Sequence, residues 1–489
     1  MIQFKSTRGD KNYVTASQAI VKGIAADGGL YVPDSVPVID FPIEELTKYN
    51  YRELAYRVLR LILSDFTEEE LRYCIDHAYD EKFDTELIAP LKEADGDNFL
   101  ELFHGKTLAF KDMALSILPY LLKTSAKKNG VDKEIVILTA TSGDTGKAAL
   151  EGFADVDGTR IIVFFPVDGV SDVQKAQMVT QKGKNTCVAA IKGNFDDAQT
   201  AVKKLFTDKE LAGELEEKGF VFSSANSINI GRLAPQIVYY FYAYAQLAKA
   251  GKIKIGDKIN FTVPTGNFGN ILAGYYAKLM GLPVDKLICA SNDNKVLYDF
   301  FKSGTYDINR EFILTASPSM DILISSNLER LLYHVSNDSE KTRELMNNLN
   351  KDGKYTFNEA KNKNIIGEYS SESESLAAIR SLYEKSGYIM DTHTAVAYAS
   401  YKKYQQESGD NNINVIVSTA SPYKFAKSVC SAIDDKYSSI DPFEALDILS
   451  TLQNADIPAP IKDIGSREVL HKSVIEREAI KDFVKGILK

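Results

Sequence analysis

The stretch Glu101-Leu-Phe-His-Gly-Lys-Thr-Leu-Ala-Phe-Lys-Asp-Met-Ala114 opens on strand-like apolar residues, Phe99, Leu100, Leu102 and Phe103. It then makes a polar turn at His104, Gly105, Lys106 and Thr107, and delivers Lys111 between Phe110 and Met113. A helical pattern follows at Leu115, Ile117, Leu118, Leu121 and Leu122. Lys111 therefore stands where a loop runs into a buried helix. Burial disfavours the ammonium form of a lysine, and a neutral amine is what Schiff-base chemistry requires. The competing reading is a lysine that snorkels from a helix N-terminus to the surface.

The residues around this stretch read as alternating strands and helices. Short apolar runs occur at Ile135–Leu138, Ile161–Phe165, Cys187–Ile191 and Phe220–Phe222. A second group follows at Ile259–Val263, Leu287–Ala290 and Asn414–Ser418, with amphipathic segments between most of them. Continuous apolar strands between helices imply parallel sheets covered on both faces. The fold class is α/β: two doubly wound parallel-sheet domains with a cleft between them and an N-terminal segment. Ligands in such folds bind at the carboxyl ends of the strands. The expected divisions are a leading segment over 1–95, a smaller α/β domain over 96–240 carrying Lys111, and a larger one over 241–489 with a helical tail. In the leading segment, Thr15-Ala-Ser-Gln reads as a capped helix start and Thr67-Glu-Glu-Glu70 as a capping box. Residues 340–375 are polar and read as a surface helix and loop.

Composition excludes several function classes. At 489 residues the length fits two or three domains. The net charge of −9 argues against a nucleic-acid partner, which needs a basic footprint, yet permits a local cationic pocket. Cys74, Cys187, Cys289 and Cys430 are far apart, and the five histidines have no metal-ligand spacing, so no metal is expected. No apolar run is of membrane-spanning length and residues 1–6 lack a signal region, so a cytoplasmic protein without a membrane partner is expected.

Three loops at strand ends carry the remaining chemistry. Thr139-Ala-Thr-Ser-Gly-Asp-Thr-Gly146 leads into a helix, and its glycines let the backbone approach an anion at that helix N-terminus. It is not a P-loop, because Gly143 and Gly146 are too close and Ala148 stands where Ser or Thr is needed. Pro264-Thr-Gly-Asn-Phe-Gly-Asn270 repeats the arrangement after a later strand, and Thr419-Ala-Ser-Pro-Tyr-Lys-Phe425 adds hydroxyls after a third. GxGxxG is absent, so a dinucleotide is not supported. A lysine in an apolar setting plus glycine-bearing anion loops fits pyridoxal 5′-phosphate (PLP): an amine for the aldehyde, N–H groups for the phosphate, and a polar partner for the ring nitrogen.

Taken together and in order, these motifs resemble the threonine synthase family of fold-type II PLP enzymes over nearly the whole chain. Ser6-Thr-Arg-Gly9 with Ala25–Pro33 is similar to its N-terminal signature, and His104–Asp112 to its Schiff-base motif, commonly HGPTLAFKD, with Lys106 in place of Pro. Asn270 stands where some members have Asp, and Ser421 where His is common. The resemblance implies that Lys111 carries PLP, that Gly266, Asn267, Phe268, Gly269 and Asn270 cradle its phosphate, and that Thr419 bonds its ring nitrogen. It implies a substrate-binding loop at Thr141, Ser142, Gly143, Asp144 and Thr145. The reaction implied is conversion of O-phospho-L-homoserine and water to L-threonine and phosphate; the alternative is a related phospholyase releasing a 2-keto acid. Lys106, Arg160, Lys175 and Arg232 are the candidates for a clamp on the substrate phosphate.

Overall fold

Apolar strands that alternate with helices have one economical solution, and the chain adopts it twice. The computed structural model describes residues 1–141, 143–167, 170–193, 195–361 and 364–489. The larger sheet runs, edge to edge, Ile365–Tyr369, Val284–Ser291, Ile259–Pro264, Asn414–Ser418, Asp97–Glu101 and Leu91–Ala94. All its pairings are parallel except the last, a hairpin. The smaller sheet is fully parallel, in the order Ser473–Glu476, Thr186–Lys192, Thr159–Pro166, Glu134–Ala140 and Phe220–Ser223. Its central strands are buried on both faces: Ile161, Ile162, Val163 and Phe164 are fully buried in succession. Burying each such side chain is worth about 1.5–3 kcal/mol.

The pairing crosses the divisions expected at residues 95 and 240. Asp97–Glu101, the strand ahead of Lys111, belongs to the larger sheet, where Ile416 pairs with Phe99. Two further strands have no apolar signature in the sequence. Ile365–Tyr369 lies in a stretch expected to be surface helix and loop, but it pairs along Val284–Ser291. Ser473–Glu476 lies in a tail expected to be helical, but it joins the smaller sheet beside Thr186–Lys192. Both are edge strands, and the second is largely exposed, so neither needs a continuous apolar run.

The leading segment packs a short antiparallel ribbon, Phe4–Ser6 with Tyr31–Pro33, against helices Ala16–Lys22, Tyr51–Ile62 and Glu68–Ala78. Both expected caps form, with Thr15–Gln18 and Thr67–Glu70 as reciprocal capping boxes. The 20-residue helix Ile230–Lys249 ties the segment to the larger sheet. Tyr242 on it meets Tyr51 edge-on at 5.2 Å, and Tyr240 meets Phe261 at 4.8 Å. No helix among the described residues is long and apolar enough to cross a membrane.

The final helix, Ile480–Ile487, closes the outer face of the smaller sheet through Ile480 and Val484. Truncating Ile480, 2% exposed, to Ala should cost about 2–5 kcal/mol. Urea unfolding would read this as a lower midpoint, and an unchanged midpoint would show that this helix is not part of the core.

Candidate active site

Parallel strands end together, so the loops after Ala140, Pro264 and Ser418 open onto a shared cleft. The Ser418 loop is stitched to the Lys111 lead-in: Leu102 N donates to Ser418 O, Phe110 N to Thr419 O and Ser421 N to Leu108 O. Lys111 is the N-cap of the single-turn helix Asp112–Leu115 and is only 9% exposed. The turn before it is locked by Asp112, whose carboxylate accepts from Thr107 N at 2.8 Å and Thr107 Oγ1 at 2.6 Å. Burial pushes the Asp112 carboxyl up to about 6. A Cβ on Gly105 would collide with that carboxylate, which accounts for glycine there.

Asp144, the first residue of helix Asp144–Phe153, reaches Lys111. Its Oδ2 lies 3.5 Å from Lys111 Nζ, and its Oδ1 lies 2.9 Å from Lys424 Nζ and 2.9 Å from Gln174 Nε2. Burial would raise the Asp144 carboxyl, but Lys424 and Lys111 outweigh it and hold the group well below the carboxylate range. The Lys424 side chain is fully buried and also donates to Thr107 O at 2.9 Å. Lys111 itself is lowered by burial, opposed by Asp144, and lowered further by the charges of Lys424 and Arg232. The desolvated amine expected from the sequence is therefore present. Asp144 faces two lysines, and its negative charge would repel a substrate carboxylate rather than receive one. Thr141 Oγ1 closes its own loop, accepting from Gly143 N and Gly146 N at 3.0 Å each. Thr145 is half-buried beside it, and Ser142 lies outside the described residues.

The glycine loop of the larger sheet meets this group through Ser319. Ser319 Oγ is 3.4 Å from both Lys111 Nζ and Asp144 Oδ2. Its carbonyl sits where a Cβ on Gly266 would approach to 2.6 Å. Lys111 and the turn at Gly266 thus lie in one cleft. Ser319 N donates to His393 Nε2 at 3.1 Å, and His393 Nδ1 lies 2.9 Å from Asp391 Oδ1, which fixes the imidazole tautomer. Phe268 caps helix Gly269–Leu279 in the left-handed region, φ 63°, with no side-chain cap on the first-turn N–H groups. A bulky residue there is strained. Phe268 is held by stacking on Phe301 at 6.0 Å, and its neighbours are pinned: Gly266 O accepts from Ser325 Oγ, and Asn267 O from Asn327 N and Nδ2.

Among the buried donors with no hydrogen-bond partner among the described residues are Asn270 Nδ2 and Arg232 Nε. Tyr239 and Tyr240 hydroxyls fix Asn270 Oδ1 at 2.6 and 2.8 Å, and Gln236 bonds Arg232 O. Burial lowers the Arg232 guanidinium to about 10. Of the four clamp candidates, Arg232 is the buried one whose charge reaches Lys111. Arg160 is tied to Glu134 and to the Ile487 carbonyl, Lys175 is exposed, and Lys106 lies half-exposed beside Glu151. Sequence reasoning assigns no role to Lys424, Ser319, Gln174 or the Asp391–His393 pair. Lys424 alone of these stands in one of the loop motifs, and no local pattern marks the others.

A buried amine, an uncapped helix N-terminus behind a strained turn, and orphaned donors on two helices define the fold-type II class of PLP-dependent enzymes. These residues fit the cofactor: the glycine cradle and Asn270 Nδ2 suit a phosphate, and Lys111 suits an aldehyde. Residues 3–79 match the family model for the threonine synthase N terminus, 99–419 that for pyridoxal-phosphate dependent enzymes, and 394–484 that for the threonine synthase C-terminal region. Threonine synthase of Saccharomyces cerevisiae is 36% identical, with 98% of each chain covered. Threonine synthase-like 1 of Homo sapiens is 41% identical over 86% of this chain, which spans 58% of that relative's length. A PLP-bound threonine synthase from Brucella melitensis superposes with a TM-score of 0.87 at 34% identity, covering 99% of each chain. The chain belongs to the threonine synthase family.

His104, at the head of the Lys111 turn, lies between Asp84 Oδ1 at 2.6 Å and Glu101 Oε2 at 3.0 Å. Burial would lower its pKa, but the two carboxylates outweigh burial and raise it to about 9. A raised folded-state pKa means that this stabilisation is complete below pH 6.5 and is lost as pH rises through about 9. Wild type and His104→Gln should therefore differ in urea midpoint at pH 6 and converge by pH 10. A gap that stayed constant would rule out a charged His104.

Proposed function

We propose that the chain converts O-phospho-L-homoserine and water to L-threonine and phosphate, with PLP held in this cleft. The single observation that carries the reading is Lys111: a buried lysine, lowered by its surroundings, beside an uncapped phosphate-type helix N-terminus. Lys111 is the attachment point for the cofactor aldehyde. The turn Gly266–Asn270 receives its phosphate on first-turn N–H groups and on Asn270 Nδ2, and Thr419 partners the ring nitrogen. When bound, the cofactor supplies an electron sink for carbanion chemistry next to the substrate amine.

The chain's own groups then divide the work. Lys111 Nζ, released by the incoming substrate amine, takes a proton from substrate Cα and then one from Cβ, which lets phosphate leave from Cγ; a proton goes to Cγ, water adds at Cβ, and Lys111 returns a proton to Cα. Asp144 and Ser319 hold Nζ in place for these transfers. Lys424 keeps Asp144 ionised, so Asp144 does not compete for the proton. Arg232 clamps the substrate phosphate as it leaves from Cγ, since a buried guanidinium with an unpartnered donor is an anion receptor. The first-turn N–H groups of the helix that begins at Asp144, with the Thr145 hydroxyl, receive the substrate carboxylate.

Lys111→Ala should lose both the visible absorbance of lysine-bound cofactor and phosphate release from O-phosphohomoserine; retention of both would end the reading. Arg232→Met should lower kcat/KM by about 10- to 150-fold, the worth of a charged hydrogen bond, with cofactor absorbance kept. Threonine should be the product in the same assay, and 2-oxobutyrate in its place would identify a phospholyase.

A further inference from the structure

The N-terminal motif Ser6-Thr-Arg-Gly9 has no part in the chemistry above, yet it is wired into the site. Thr7 N donates to Leu30 O and Leu30 N to Thr7 Oγ1, closing the ribbon on itself. The Thr7 hydroxyl then donates to Glu329 Oε1 at 2.6 Å. Arg8 grips both oxygens of the same carboxylate, Nε to Oε1 at 2.9 Å and Nη2 to Oε2 at 2.7 Å. Glu329 lies in the first turn of helix Leu328–Ser336, and its neighbour Arg330 also reaches the leading segment.

Arg330 is fully buried and joins three segments with one planar group. Nε donates to Tyr31 O in the leading segment at 2.9 Å. Nη2 donates to Ile228 O, just ahead of the helix carrying Arg232, at 2.6 Å. Nη1 donates to Asn327 Oδ1. Asn327 in turn gives both its backbone N and its Nδ2 to Asn267 O, 3.1 Å each. That carbonyl precedes the left-handed Phe268. A strained residue persists only where its surroundings over-determine it. These three acceptors are all neutral oxygens, and burial lowers Arg330 to about 10. A methionine of similar length would fill the space without desolvating a charge. What only the guanidinium provides is several donors in fixed directions.

We propose that Arg330, with Glu329 and the Thr7–Arg8 pair, is a positioning device by which the N-terminal segment holds the Gly266–Phe268 turn in its phosphate-binding form. This rests on the reading that the turn receives the cofactor phosphate. Thr7, Arg8, Glu329 and Arg330 touch no reacting atom; they act through Asn327 on Asn267.

The test is PLP affinity of the full chain, read by visible absorbance after reconstitution, alongside urea midpoints. Arg8→Ala, Arg330→Met and Asn327→Ala should each weaken PLP binding about tenfold. The Arg8→Ala/Asn327→Ala double variant should be no weaker than the worse single, because both cut one path. Arg330→Lys should recover part of the loss. Ile480→Ala, which destabilises a distant face of the smaller sheet, should leave PLP affinity unchanged. If Arg330→Met does not fold, the partly exposed Arg8 still gives the reading. PLP affinity within twofold of wild type in Arg8→Ala and Asn327→Ala would overturn the proposal, as would an equal loss in Ile480→Ala. Wild type that binds no PLP would instead bring down the cofactor reading itself, and this inference with it.

Discussion

One buried carboxylate, Asp144, faces two lysines, and the cleft is organised about that imbalance. Lys111, Lys424 and Arg232 are each at most 9% exposed, while Asp144 is the carboxylate in direct contact with the two amines. Unit charges about 4 Å apart near a protein surface interact by about 4 kcal/mol, so the pairings decide which group keeps its charge. Asp144 bonds Lys424 more closely than Lys111, and Lys424 is also satisfied by Thr107 O and Gln177. Lys111 is left as the weakly held amine. Burial and the two other cations favour its neutral form. The same surplus of positive charge, set in a chain of net charge −9, would favour an anionic ligand in this cleft.

The two sheets contribute unlike parts. The smaller sheet supplies Asp144 on a helix that begins at its Thr141–Gly143 loop. The larger sheet supplies the strained turn at Phe268 and also both flanks of Lys111, through Asp97–Glu101 and Asn414–Ser418. Ser319 lies between the two sets: it touches Lys111, Asp144 and the space over Gly266. Its backbone is fixed by His393, and His393 by Asp391 at the start of helix Thr392–Ser408. Lys111 is thereby held by groups far apart in sequence.

Much of this arrangement is legible in the amino-acid sequence alone. Sheet membership of the buried strands follows from their continuous apolar runs, since parallel strands are covered on both faces. The lysine and the glycine loops are legible because their chemistry depends on short local motifs. Three kinds of feature are not. Edge strands such as Ile365–Tyr369 and Ser473–Glu476 need no apolar run. The strand ahead of Lys111 crosses to the larger sheet by a long-range pairing with Val415–Ser418. Ser319, His393 and Arg330 act through partners 74 to 299 residues away, so no window of sequence reveals them. Asp144 is legible as part of its loop, but its work of holding two lysines depends on Lys424, 280 residues later by numbering.

The central question is which amine reacts. Purified full-length protein, mixed with PLP, reduced with borohydride and digested, should yield one modified peptide, with the pyridoxyl group on Lys111. Label on Lys424 or on surface lysines, with Lys111 unmodified, would contradict it.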